Sequence, residues 1–118
     1  MLNKKELKEL VGQSIWCIPR MNAVSRSIPL NEQITEFKLI KVGSKRMTIE
    51  TVGNGGMSGA FGIDGGMDVH NYGYYPFASI EDANDYFTDK EIISKIQNYH
   101  FNGVSHEDIL KIQNILGL

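Results

Sequence analysis

Glu36 to Thr51, EFKLIKVGSKRMTIET, holds two runs of strand-forming residues on either side of a short turn at Gly43-Ser44-Lys45. On the second arm Met47, Ile49 and Thr51 alternate with Arg46, Thr48 and Glu50, so one face can be buried while the other stays in water. The stretch therefore predicts a β-hairpin. Its first arm alternates less cleanly: Leu39 and Ile40 are adjacent, and Val42 has the opposite parity to Phe37 and Leu39. A β-bulge near Ile40-Lys41 restores the face and bends the strand, which favours a curved sheet over a flat one.

The chain has 118 residues, enough for one domain with a core of its own. Cys17 is the single cysteine, so no intramolecular disulfide can form. The opening MLNKKELKEL interrupts its leucines with charges and lacks the apolar core of a secretory signal. No apolar run approaches the ~20 residues that span a bilayer. Both features predict a soluble, cytoplasmic protein without membrane contact. The net charge of −2 hides an asymmetry: residues 1–50 carry nine basic against five acidic side chains, and residues 51–118 three against nine. Such halves attract each other, or the basic half faces a polyanion.

Outward from the hairpin, Asn3 and Glu6 make a capping box for a helix over residues 4–10 that stops at Gly12. Ile15 to Ile18 reads as a first strand ending at Pro19, and the polar run from Arg20 to Asn31 as a long loop. Ile34 to Val42 and Arg46 to Val52 are the hairpin arms. Gly53 to Gly66 holds seven glycines in fourteen residues. Their ordering cost predicts a mobile loop or wide hairpin tip, and the spacing fits neither a dinucleotide fingerprint nor a phosphate loop. Met67 to Phe77 reads as a last strand, with aromatics crowded around Gly73.

From Ser79 onward the period changes from two to about 3.6. Ser79 with Asp82 caps a short helix carrying Ala83 and Phe87 on one side. Thr88 with Glu91 forms a second capping box and opens a helix striped by Ile92, Ile93, Ile96 and Tyr99. Phe101-Asn102-Gly103 breaks it. Ser105 with Asp108 starts the last helix, lined by Ile109, Ile112, Ile115 and Leu116. These signals predict a C-terminal helical hairpin whose stripe covers either the open face of the barrel or a second subunit. The whole reads as an α+β fold in one domain, 1–118: a small curved antiparallel sheet or Src-homology-3-like barrel (13–77) with a short N-terminal helix, and a helical part (79–118).

No catalytic constellation emerges. Cys17 sits inside an apolar strand, as a small buried hydrophobe does. His70, His100 and His106 lack ligand spacing, Asp64 and Asp68 lack the oxygen pattern of a calcium loop, and no metal or cofactor is expected. Three surfaces remain. Arg20, Arg26, Lys45 and Arg46 form a basic rim if the turns of a small barrel crowd together, able to meet phosphate or an acidic protein surface. Tyr72, Tyr74 and Tyr75 offer stacking faces for nucleobases, although core closure is the stronger reading of such a cluster. Asp82, Asp85 and Asp89 form an acidic face for a partner.

The segments VGQSIWCIPRMNAVSR (11–26), ITEFKLIKVGSKRMTIE (34–50) and GYYPFASIEDANDYFTDKEIISKIQNYH (73–100) together resemble small β-barrel proteins of phages and mobile elements in Firmicutes. The shared features are a Val-Gly opening before the first strand, an Ile-Pro exit into a polar loop ending in Arg, the Lys-Val-Gly-x-Lys hairpin, and aromatics leading into an acidic helix. The Gly53 to Gly66 stretch departs from that pattern. The resemblance implies the fold and a mobile-element setting, and with it an inhibitor of host defence of the anti-CRISPR kind. The expected function is non-enzymatic binding, with a protein as first partner, nucleic acid as the alternative, and a homodimer through the C-terminal helices as its possible assembly.

Overall fold

Gly43 donates its N–H to the Arg46 carbonyl at 2.7 Å and closes the central hairpin between two strands, β2 (Thr35–Val42) and β3 (Arg46–Thr51), in this computed structural model. Residues 1–53, 56, 58–67 and 71–118 are described. The register shifts between Leu39 and Lys41, where the broken alternation predicts a bulge. Leu39, Met47 and Ile49 consequently face inward and are fully buried, while Ile40 is turned out.

Three further strands complete one antiparallel sheet: β1 (Ser14–Met21), β4 (Ser58–Gly62) and β5 (Tyr72–Phe77). The order is β4-β3-β2-β1-β5, a meander whose last strand returns beside the first. The sheet curls into a half-barrel, and its concave side holds Ile15, Cys17, Phe37, Leu39, Met47, Ile49, Phe61 and Tyr74. The Tyr74 ring meets Phe37 and Phe61 edge-on, each at 5.0 Å between centroids, a favoured geometry for the ring quadrupoles. Helix α1 (Lys4–Glu9) closes this core with Leu7, and both hydrogen bonds of the Asn3–Glu6 capping box are made.

Two boundaries differ from expectation. β1 does not stop at Pro19 but runs on to Met21, since beyond Cys17 it pairs with β5 alone. One side of the strand is then without a ladder partner, so the N–H that proline lacks is not missed there. The polar run that follows begins two residues later than expected and contains a 3-10 turn, Leu30–Gln33. The glycine-rich stretch is also not a loop throughout, because β4 lies within it and pairs with β3 from Glu50–Ser58 to Arg46–Gly62. Glycine is required there by close approach. A Cβ on Gly62 would come within 2.6 Å of Gly66 Cα, and one on Gly65, at φ +84°, would run into the Tyr75 ring. Of the expected last strand, Asp68, Val69 and His70 lie outside the described residues.

The largest correction concerns the helices. Residues 80–97 form one continuous helix, α2 (Ile80–Gln97), not two. Ser79 caps it through a bond from the Asp82 N–H, whereas the Thr88 hydroxyl donates back to the Asn84 carbonyl at 3.1 Å and caps nothing. Helix α3 (His106–Leu116) begins at Ser105 as expected, ends in a left-handed Gly117 and buries no residue. A short 3-10 turn, Phe101–Gly103, links α2 to α3. The radius of gyration is 17.9 Å, against ~13.5 Å for a compact chain of this length, and the longest dimension is 56 Å. The C-terminal helices project from the half-barrel as an arm.

Candidate functional site

Helix α2 does two different things along its length. Its first half lays Ala83, Tyr86 and Phe87 on the convex side of the sheet, against Ile18, Tyr75 and Phe77. The Tyr86 ring sits 5.2 Å from Phe77 and 6.0 Å from Tyr75, and Lys90 Nζ lies 4.6 Å above the Tyr86 ring. Ala83 and Ile92 are separated by about two and a half turns at ~100° per residue, so they point to opposite sides of the helix. The stripe that begins at Ile92 accordingly leaves the sheet behind. Ile92, Ile96 and Tyr99 are each about half exposed, and the open face of the barrel is not what they cover.

Asp82, Asp85 and Asp89 share that same outward side. They line a cleft of about 320 Å³ together with Glu6 of α1, over a floor that includes Leu2, Phe77 and Tyr86. The N-terminal segment is held there because the Leu2 N–H donates to the Pro76 carbonyl at 2.9 Å, which places α1 next to the start of α2. The structure thus brings the three aspartates together and adds a fourth carboxylate, Glu6, which sequence reasoning assigned only to a cap. Among the described residues no ion pair reaches any of the four; the ion pairs drawn join Lys111 to Glu107 and Asp108 within α3. The basic and acidic halves of the sequence are thus not joined by direct ion pairs among the described residues.

A second concavity, about 370 Å³, opens between the distal half of α2 and α3. Ile92, Ile96, Tyr99, Ile112, Ile115 and Leu116 are among its walls, and Tyr99 and Phe101 meet edge-on at 5.0 Å within it. Its lining is almost wholly apolar.

The basic rim is arranged differently from expectation. The Arg20 guanidinium donates to the Gly65 carbonyl at 3.1 Å and lies 5.6 Å from the centre of the Tyr75 ring. It serves first as a clamp on the Gly62–Gly66 turn. That turn also receives the hairpin, since the Ile63 N–H donates to the Lys45 carbonyl and Arg46 pairs with Gly62. Three of the four cations therefore border one turn. Arg26 is exposed in the loop after β1, and no contact links it to the other three among the described residues. Of the tyrosines, Tyr74 is a correction: it is only 7% exposed inside the core, so its faces are taken by Phe37 and Phe61. Tyr75 is half-buried under Arg20 and Tyr86, and Tyr72 is exposed at the start of β5. No continuous stacking platform results.

Cys17 is buried, and burial pushes its thiol well above the ordinary range because the thiolate would lose its hydration. Among the described residues no three His, Cys, Asp or Glu side chains gather as metal ligands. Among these residues, too, no helix is long and apolar enough to cross a membrane. No family model, curated protein or solved structure matches this chain.

Proposed function

We propose that this chain is a non-enzymatic binding protein that captures a protein partner on the outward side of α2, with a basic, partly apolar segment as the element it takes. One observation carries the reading: Glu6, Asp82, Asp85 and Asp89 surround a single cleft with an apolar floor, and no cation of the described chain pairs with them. Exposed carboxylates cost little while they stay hydrated, and they steer and orient a partner of opposite charge. Leu2, Phe77 and Tyr86 offer the apolar contact that charge alone does not supply. The half-barrel is the platform, and the meander closed by β5 beside β1 supports reading it as Src-homology-3-like. The resemblance to barrel proteins of phages and mobile elements adds a setting in which the captured protein belongs to a host defence system.

Replacing Asp82, Asp85 and Asp89 together by lysine tests this. Capture of the partner in a pull-down should fall at least ~10-fold, since several opposed charges of ~0.5 kcal/mol or more are reversed at once. Fluorescence of the single Trp16, in β1, checks that the fold survives. Undiminished capture by the triple variant would remove the cleft from consideration. The alternative, nucleic-acid binding by the basic rim, predicts retention on DNA or RNA that falls steeply with salt and weakens with Lys45→Glu.

A further inference from the structure

The arm that leaves the half-barrel carries more apolar surface than a free surface accommodates. We propose that the groove between the distal half of α2 and α3 is closed by the same arm of a second copy of this chain, giving a two-fold dimer built on a four-helix contact.

Three observations lead there. The first is the rotation of the apolar stripe within α2. Ala83 and Phe87 already satisfy the sheet, and Ile92, Ile96 and Tyr99 point away from it and stay about half exposed even beside α3, so their remaining cover comes from outside the chain. The second is area. The stripe residues of α2 and α3, from Ile92 to Leu116, expose on the order of 800 Å² at ~200 Å² per fully exposed side chain. The largest apolar patch on an ordinary monomer is ~300–600 Å², whereas each partner in a stable interface buries ~800 Å². The third is shape. One arm supplies both the socket, with Tyr99 and Phe101 packed edge-on inside it, and the knobs, Ile115 at 81% and Leu116 at 60% exposed, along its edge. A two-fold axis sets the knobs of each copy into the socket of the other, and the same patch serves both sides. Two helix pairs stacked in this way form a bundle with a closed apolar core.

A second copy also answers a need that an occasional partner does not. An isolated helix as short as α3 is marginal in water, and its own chain fully buries no residue of it. Its cover must be present whenever the chain is, and another molecule of the same chain satisfies that condition. The proposal does not rest on the acidic cleft, which lies at the other end of α2, and either can fail without the other.

Sedimentation equilibrium of the full chain over a wide concentration range provides the test. The expected mass is twice the 13.3 kDa of one chain. Ile96→Glu and, separately, Ile115→Lys should each weaken association at least ~100-fold, as removal of a central apolar anchor does. Asn114→Glu, on the opposite side of α3, should leave the mass unchanged. Trp16 fluorescence reports on the half-barrel and should be the same in all four proteins, which separates loss of association from loss of fold. A wild-type chain that stays at monomer mass at every concentration overturns the proposal, and so does a dimer that both groove variants leave intact.

Discussion

The two halves of α2 are built from similar materials and meet opposite fates. The first half presents Ala83, Tyr86 and Phe87 to the sheet and Asp82 and Asp85 to water. The second presents Ile92 and Ile96 on the side where those aspartates were, and the groove they share with α3 leaves them about half exposed. Backbone hydrogen bonding is indifferent to which face is apolar, so one uninterrupted helix can carry both patterns. The difference shows that a helix is held by whatever its apolar face finds, and here the face changes sides near Thr88. What docks α2 to the half-barrel is a patch of a few residues. Further along the helix Ile92 and Ile96 are left about half exposed.

The contrast can be tested from its strongest point. Ala83 is wholly buried against the sheet, so Ala83→Glu forces an unpaired charge beneath the helix and should lower the unfolding free energy by ~3 kcal/mol or more in urea. Ile96→Glu in the distal half should leave the Trp16-reported transition within ~0.5 kcal/mol of wild type at dilution, where association makes no contribution. Comparable losses at both positions would mean that the distal half is also docked. A smaller effect distinguishes one helix from two. Ser79→Ala removes the only serine cap of α2 and should cost ~1 kcal/mol. Thr88→Ala, by contrast, replaces a mid-helix threonine with a better helix former and should stabilise by a few tenths, ~0.5 kcal/mol at most. A loss of ~1 kcal/mol at Thr88 would restore the second cap.

Thr88 shows why sequence reading stopped short. Thr88 and Glu91 have the spacing of a capping box, and the apolar period loses phase at the same place, so both local signals agreed on a helix start. They share another cause: the stripe moves to the opposite side because the sheet ends beneath α2, while the backbone continues. Sequence alone holds no record of where the sheet ends. Similarly, Gly53 to Gly66 carries a true signal of high ordering cost, but Gly62 and Gly65 meet that cost through partners distant in sequence or across a turn, Tyr75 and Gly66. Glu6 joined the acidic cleft only because the N-terminal segment hydrogen-bonds along β5. The hairpin, its bulge, the Asn3, Ser79 and Ser105 caps and the burial of Cys17 were legible because each depends on neighbours within a few residues or on simple apolar character.

The sequence by itself thus determined the local structure: the turn at Gly43, the face carried by Met47 and Ile49, the bend between Leu39 and Lys41, and the starts of all three helices. Those features follow from backbone propensity and from the period of apolar residues, which act over one or two turns of chain. Only the tertiary structure decided which apolar face was covered. Concave and convex sides of one curled sheet took up Tyr74 and Tyr86, and left Ile92, Ile96 and Ile115 facing out. Burial is a property of what lies opposite, and what lies opposite is set by how distant strands and helices come together.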